Sequence, residues 1–203
     1  MDFPPYLYSP ILNTSLIFKS INNMKKANLT RALSMTFAGL LMSSLIFAQG
    51  GDKSKRPSPP GTATGKVAGA TITINYSSPS VKGRKVWGDL VPYDKVWRAG
   101  ANEATLFETD KDITVGGKKL PKGKYSLYAI PGEKEWTWIF NSQTGQWGIK
   151  MDGSTTEDPA KDVVRVTAKP EKASASAEKL AYTVDSKGFT FEWENVKVPV
   201  SIK

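Results

Sequence analysis

Apolar and polar residues alternate along most of the chain beyond residue 69, and this period of two constrains the fold more than any other feature. In an extended strand the alternation places apolar side chains on one face and polar side chains on the other. The clearest alternating segments are ATITINYSS (70–78), ATLFET (104–109), EWTWIFNS (135–142), DVVRVTAKP (162–170) and EKLAYTVDSKGFTFEWENVKVPVSI (178–202). No segment after the N-terminal apolar run carries the i, i+3, i+4, i+7 stripe of an amphipathic helix. The sequence therefore predicts an all-β protein.

The number and spacing of these segments indicate the fold class. About eight or nine short strands separated by turn residues are typical of an antiparallel β-sandwich, with a jelly-roll-like arrangement or a barrel as alternatives. Gly116-Gly117, between two short alternating runs, predicts a two-residue hairpin turn. The segment 125–130 has apolar side chains at both even and odd positions, which predicts a central strand covered on both faces.

The N-terminal part of the chain has the pattern of a targeting segment. Residues 24–48 begin with Met-Lys-Lys and continue into a short apolar run, as secretory signal peptides do. The run is too short for a comfortable membrane span, so we expect none in the mature chain. We interpret residues 1–23 as an extension created by start-site choice, 49–61 as a flexible linker and 62–203 as a single β-sandwich domain. This organisation predicts export to the periplasm or to the outside of the cell.

The composition excludes several kinds of chemistry. The chain has no histidine and no cysteine, so it cannot form a Ser-His-Asp triad, a thiolate nucleophile or a His- or Cys-ligated metal centre. We expect no cofactor, no bound metal and no catalytic residue. The formal net charge is +9, but the lysines are scattered rather than clustered. We therefore expect no nucleic-acid partner. The oligomeric state stays open.

The segment VWGDLVPYDKVWRAGANEATLFET (86–109) is unusual because it places two tryptophans in a predicted loop. Arginine stacks on aromatic rings and binds carboxylates through two parallel hydrogen bonds, so rings and arginines together favour a pocket for a small polar ligand or a glycan. The candidate ligand-binding residues are Arg84, Trp87, Tyr93, Trp97, Arg98, Asn102, Glu103 and Trp147.

The same segment also fits a structural plug over one end of the sandwich. In that interpretation Arg98 and Glu103 form a buried ion pair, and any binding is carried by an exposed rim around Trp87, Tyr93 and Asn102. The sequence does not separate the plug from the pocket. A third interpretation is a carboxylate-dependent, glycosidase-like hydrolase using Asp89 and Glu103, since two carboxyl groups suffice for that chemistry.

One family resemblance is carried by the stretch from residue 77 to residue 141 and by residues further along the chain. The matching elements are Ser78-Pro79, Gly83-Arg84, Trp87-Gly88, Leu90-Val91-Pro92-Tyr93, Val96-Trp97-Arg98, Gly100-Ala101-Asn102-Glu103-Ala104-Thr105, GKKLPKGKYSLYAIPG and Trp147-Gly148. On these residues the chain resembles the family called domain of unknown function 2911, from about residue 60 to the C-terminus. Asp94 stands where relatives more often have glycine. The resemblance implies one exported bacterial β-domain and no established activity, cofactor or catalytic residue.

We therefore expect an exported β-sandwich that acts as a non-catalytic binding module for a small polar ligand, an envelope glycan or a protein partner. The hydrolase and a purely structural envelope protein are the alternatives.

Overall fold

The computed structural model describes residues 52–203, which contain ten strands, two short turns of 3-10 helix and no α-helix. The strands are β1 (Pro60–Val67), β2 (Ala70–Ser77), β3 (Thr105–Thr109), β4 (Ile113–Val115), β5 (Lys118–Leu120), β6 (Gly123–Ile130), β7 (Trp136–Asn141), β8 (Asp162–Ala168), β9 (Glu171–Asp185) and β10 (Gly188–Ser201). The 3-10 turns cover Lys53–Lys55 and Pro159–Lys161. The predicted all-β class is confirmed.

Six of the strands form one antiparallel sheet in the order β1-β2-β3-β6-β7-β8. Apart from the inserted β4-β5 hairpin, neighbours in the sheet are also neighbours along the chain. The sheet is thus an open meander with β1 and β8 at its edges. This arrangement differs from the Greek-key connections of a jelly roll and from a closed sheet, so both alternatives are wrong for residues 52–203.

The second layer is a long hairpin of β9 and β10. The register of this hairpin shifts on both sides of Glu194, which has a φ of 54°. Such a bulge bends a strand and increases its twist. The end of β10 returns to the hairpin turn, where the Ile202 N–H donates to the Lys187 carbonyl at 2.8 Å. Val115 of β4 pairs with Ile202, so the small β4-β5 hairpin is joined to the end of β10.

The core lies between the large sheet and the β9-β10 hairpin and is rich in aromatic rings. Trp136 and Trp138 of β7 meet Phe191 of β10 at ring-centroid distances of 5.2 and 5.9 Å. Phe189 of β10 meets Trp138 at 5.4 Å. Each of these side chains is almost completely buried. The two facing layers with this shared core confirm the sandwich-like architecture.

Two local predictions are confirmed. Gly116 and Gly117 connect β4 to β5 with φ values of 52° and 84°, which a two-residue turn of this kind requires and glycine adopts without strain. The strand β6 lies between β3 and β7, and the five residues 125–129 are all buried. It is therefore covered on both faces.

The beginning of the domain differs from the expected linker. Residues 60–61 already belong to β1, and residues 53–55 form a 3-10 turn capped by Asp52. The alternation is hard to recognise in β1 because its residues are small or polar, PGTATGKV. Gly61 nevertheless pairs with Tyr76, and a Cβ there would come within 2.7 Å of the Tyr76 ring.

The first half of β9 was also absent from the sequence prediction. Residues 171–177, EKASASA, are mostly exposed and contain no large apolar side chain, so they carry no alternating signal. They are extended because they pair with the second half of β10, where Val196 lies opposite Lys172.

The predicted extension 1–23 and signal peptide 24–48 lie outside the described residues and stay predictions. Within residues 52–203, no helix has the length and apolar character needed to cross a bilayer.

Candidate functional site

The segment between β2 and β3, residues 78–104, is fixed to the large sheet at several points. Trp97 and Ala129 of β6 exchange two backbone hydrogen bonds of 2.7 and 2.8 Å. The Asp94 N–H donates to the Pro131 carbonyl at 2.8 Å. Asp94 has a φ of 57°, in the left-handed region that favours glycine and that aspartate tolerates better than most residues. The segment is thus a fixed loop over one end of the sandwich.

Both tryptophans of this loop contribute to the aromatic core. Trp87 meets Trp136 edge-on at 5.1 Å and is only 8% exposed. Trp97 stacks on Trp193 at 6.1 Å with 17° between the ring planes. The predicted exposed rim around Trp87 is therefore wrong, since the indole is buried. Burial of such a large ring stabilises the fold, and exposure to water would forgo this free energy. This part of the loop acts as the plug.

The predicted ion pair between Arg98 and Glu103 is wrong. Among residues 52–203, Glu103 pairs instead with Arg56 and Lys53: the Arg56 Nη1 lies 3.0 and 2.8 Å from its two carboxylate oxygens, and the Lys53 Nζ lies 3.0 Å from Oε1. The reason is that residues 52–59 pack against the loop rather than extending into solvent. The Glu103 side chain is 38% exposed, so each pair contributes about 0–1 kcal/mol.

Arg98 instead interacts with the loop after β7. Its Nη1 donates to the Trp147 carbonyl at 3.2 Å, and the guanidinium lies 5.8 Å from the Trp147 ring centroid. Burial lowers the pKa of Arg98, and the charge of Glu103 raises it in part. The guanidinium is thus a partly desolvated cation without a carboxylate in salt-bridge distance among the described residues.

Arg98 lines a cavity of about 340 Å³ beside the plug, which we call the arginine cavity. Its walls come from the loop before β3 and from residues 148–155, and Trp97 and Trp193 lie at the boundary with the core. The volume is within the usual range for small-molecule sites, about 300–1,000 Å³. The lining contains two arginines, Arg84 and Arg98, and no aspartate or glutamate.

The two arginines use their donors differently. Arg84 Nε donates to the Val81 carbonyl at 3.0 Å and Arg84 Nη2 to the Ser80 carbonyl at 2.6 Å, which satisfies one edge of that guanidinium. The corresponding edge of Arg98, formed by Nε and Nη2, has no acceptor among residues 52–203. Arg84 therefore contributes mainly charge to the arginine cavity, while Arg98 also offers two parallel donors.

The other predicted site residues lie outside this cavity. Tyr93 is half-buried against the core, and Asn102 Nδ2 donates to the Ser58 carbonyl at 2.9 Å, which fastens the N-terminal segment. Trp147 is 50% exposed and covers Arg98. Of the eight candidates, the arginine cavity thus brings together Arg84, Trp97 and Arg98.

Sequence reasoning missed several residues of the cavity wall. They are Ser58, Leu90, Val96, Ala101, Ile149, Thr155 and Trp193. Trp193 keeps the strand period of β10, which is typical of a core residue, and it is almost completely buried, but it also borders the cavity. Its buried Nε1 has no hydrogen-bond partner among the described residues. Leu90 and Val96 could have been found from the sequence, because they are apolar residues on either side of Tyr93 in a predicted loop.

The carboxylates proposed for hydrolysis do not meet. Asp89 is exposed and pairs with Lys85 at 3.3 Å, whereas Glu103 lines a separate cavity of about 320 Å³ together with Lys53 and Arg56. Burial raises the pKa of Glu103, but hydrogen bonds from its own backbone N–H, Arg56 and Lys53 outweigh this and lower it to about 2. A carboxyl group with this pKa is ionised at neutral pH and cannot act as a general acid. Within the described part of the chain, which has no histidine or cysteine, no three aspartate or glutamate side chains cluster so that they could hold a metal ion.

Fold and site together define the class: an all-β sandwich in which one long loop closes the core and borders a small basic cavity. The chain belongs to the family described as protein of unknown function, DUF2911, which matches residues 58–202. The resemblance seen in the sequence is thereby confirmed. Comparison with curated proteins and with solved structures found no match.

Proposed function

We propose that this protein is an exported, non-catalytic binding module that takes a small polar ligand in the arginine cavity. The observation that carries the proposal is the partly desolvated guanidinium of Arg98, which borders a cavity without carboxylates. A partly desolvated cation with unused donors gains free energy when an acceptor binds those donors.

This pattern favours ligand binding over a purely structural role for Arg98. An arginine that only holds a loop gives its N–H groups to backbone carbonyls, as Arg84 does through Nε and Nη2. Arg98 gives one, from Nη1. The hydrolase alternative lacks comparable support, since Asp89 is not part of the wall of the cavity that Glu103 lines with Lys53 and Arg56.

Export is part of the proposal and rests on the pattern of residues 24–48 alone. The mature protein should begin at about Gln49, because signal peptidases cut after small residues such as Ala48. N-terminal sequencing of protein from the envelope or the medium measures this. Mature protein that retains residues 1–23 would contradict it.

The binding proposal predicts that filling the arginine cavity abolishes ligand binding. Ala101→Phe adds a ring at the cavity wall, and Ala175→Phe adds the same ring at an exposed position of β9. Purified wild type and both variants are screened by thermal shift against amino acids, organic acids, sugars and short glycans. Compounds that raise the melting temperature of the wild type and of Ala175→Phe should leave Ala101→Phe unchanged.

Two results would contradict the binding proposal. One is a compound shift of equal size in all three proteins, which would put binding elsewhere. The other is the absence of any shift across the screen, which would favour the structural envelope protein. Circular dichroism of each variant shows whether the fold is retained.

A further inference from the structure

We infer that the ligand of the arginine cavity is a small organic carboxylate with an apolar body, and that Arg98 binds its carboxylate through Nε and Nη2. The inference rests on the proposed function, and adds the chemical class of the ligand and the role of each arginine.

The first argument is charge. Two guanidinium groups border the arginine cavity, and its lining has no acidic side chain. Glu103 influences the pKa of Arg98, but its carboxylate oxygens are already bound by Arg56 and Lys53. The cavity therefore has a positive charge that the described residues do not neutralise locally. In a partly desolvated site this favours an anion over a neutral ligand.

The second argument is geometry. The Nη1 of Arg98 is held by the Trp147 carbonyl, and the guanidinium lies near the ring of the same tryptophan. These two contacts hold the group in place and leave Nε and Nη2, which point along one edge of the guanidinium plane. Two parallel N–H donors match the two oxygens of a carboxylate, and Lys cannot reproduce this match.

The third argument concerns the remaining wall. Leu90, Val91, Val96 and Ile149 supply apolar surface, and the ring of Trp97 lies beside them. A ligand composed only of charged and hydroxyl groups would leave this surface without a partner. The apolar part of the wall therefore suits an aliphatic chain or a ring on the ligand. The small volume limits the ligand to one compact molecule.

The two arginines should differ in their effects. Arg98 offers the paired donors, so its replacement should affect binding strongly. Arg84 has its Nε and Nη2 engaged with backbone carbonyls and acts through its charge. Its replacement should weaken binding less, and added salt should reduce its contribution further.

The test uses acid–amide pairs of the same shape. Acetate, butyrate, phenylacetate and indole-3-acetate are each compared with the corresponding neutral amide. Binding to the purified protein is followed by thermal shift and by tryptophan fluorescence, because Trp97 and Trp193 border the cavity. The variants are Arg98→Gln, Arg98→Lys and Arg84→Gln. Lys66→Gln, at an exposed position of β1, removes one positive charge away from the cavity and serves as the control.

We expect at least one acid to bind about tenfold or more tightly than its amide, equivalent to about 1.4 kcal/mol. The larger acids should bind more tightly than acetate. Arg98→Gln and Arg98→Lys should each lose about tenfold or more in acid affinity, while Arg84→Gln loses about two- to fivefold. Lys66→Gln should bind as the wild type does. Unliganded melting curves confirm that each variant is folded.

Three outcomes would overturn the inference. They are amides that bind as well as the acids, acid binding that survives Arg98→Gln, and a panel in which no acid binds. The proposed binding function would still hold in the first two cases, or where a sugar or neutral compound binds, provided that Ala101→Phe abolishes this binding. Where nothing binds in either screen, the proposed function fails as well.

Discussion

Replacing Trp193 with alanine is expected to lower the free energy of unfolding by about 3–5 kcal/mol. The indole lies on β10, is 1% exposed, stacks on Trp97 at 6.1 Å and meets Trp87 edge-on at 5.8 Å. Truncation would leave a cavity between the sheet, the hairpin and the loop. The surrounding rings are fixed on these three elements, so they cannot move far enough to fill the cavity. Urea unfolding at equilibrium measures the loss.

Trp147→Ala is the matched control for this prediction. Trp147 is also a tryptophan, but it is 50% exposed, and its main ring contact is the Arg98 guanidinium. Its loss should cost about 1 kcal/mol or less. Similar unfolding midpoints for Trp193→Ala and the wild type would mean that the β10 face is not the core. Domains of this kind are stable by about 5–15 kcal/mol, so the predicted loss is easily measured.

Gly188→Ala should also be strongly destabilising, by at least about 2 and up to about 5 kcal/mol. Gly188 begins β10 with a φ of 150°, a conformation that is essentially restricted to glycine. A Cβ at this position would overlap the carbonyl oxygen of Val200 and lie 3.0 Å from the Ile202 nitrogen. Both are backbone atoms, one in the last part of β10 and one directly after it, and no side-chain rotation relieves the overlap. Thermal unfolding measures the cost.

The control for Gly188 is Gly83→Ala. Gly83 has a φ of 67°, also unfavourable for alanine, but nothing lies within 4 Å of the position its Cβ would take. It therefore shows the cost of a left-handed alanine without a steric overlap, about 1–2 kcal/mol. If Gly188→Ala loses no more stability than Gly83→Ala, the predicted overlap with the end of β10 is wrong.

The sequence predicted those strands whose side chains alternate between the core and the other face of the sheet, because this alternation is visible in the order of the residues. Trp136, Trp138 and Phe140 keep their alternation because β7 lies inside the sheet with one face on the core. Gly116-Gly117 was identified because a two-residue turn needs positive φ at both positions. The first half of β9 was missed because its residues, which are small or charged, become a strand only through pairing with β10.

The candidate site was harder to predict because its features depend on contacts between distant segments. Arg98 and Glu103 are five residues apart, so a pair between them was a reasonable expectation. In the structure Glu103 pairs with Arg56, and Arg98 donates a hydrogen bond to the Trp147 carbonyl. Each of these partners is more than forty residues away in sequence. Period and spacing carry no information about such contacts, because the positions of residues 53–56 and 147 depend on how the whole sheet folds.

The sequence alone determined the all-β class, the strand-rich core and the absence of histidine and cysteine chemistry. These follow from local period and from composition, which do not depend on tertiary contacts. Only the tertiary structure decided that Trp87 is core, that Trp193 borders a cavity, and that Arg98 has one edge of its guanidinium without an acceptor in residues 52–203. The physical reason is that burial and hydrogen bonding are properties of surfaces brought together from β7, β10 and the long loop. No single segment of the chain contains such a surface by itself.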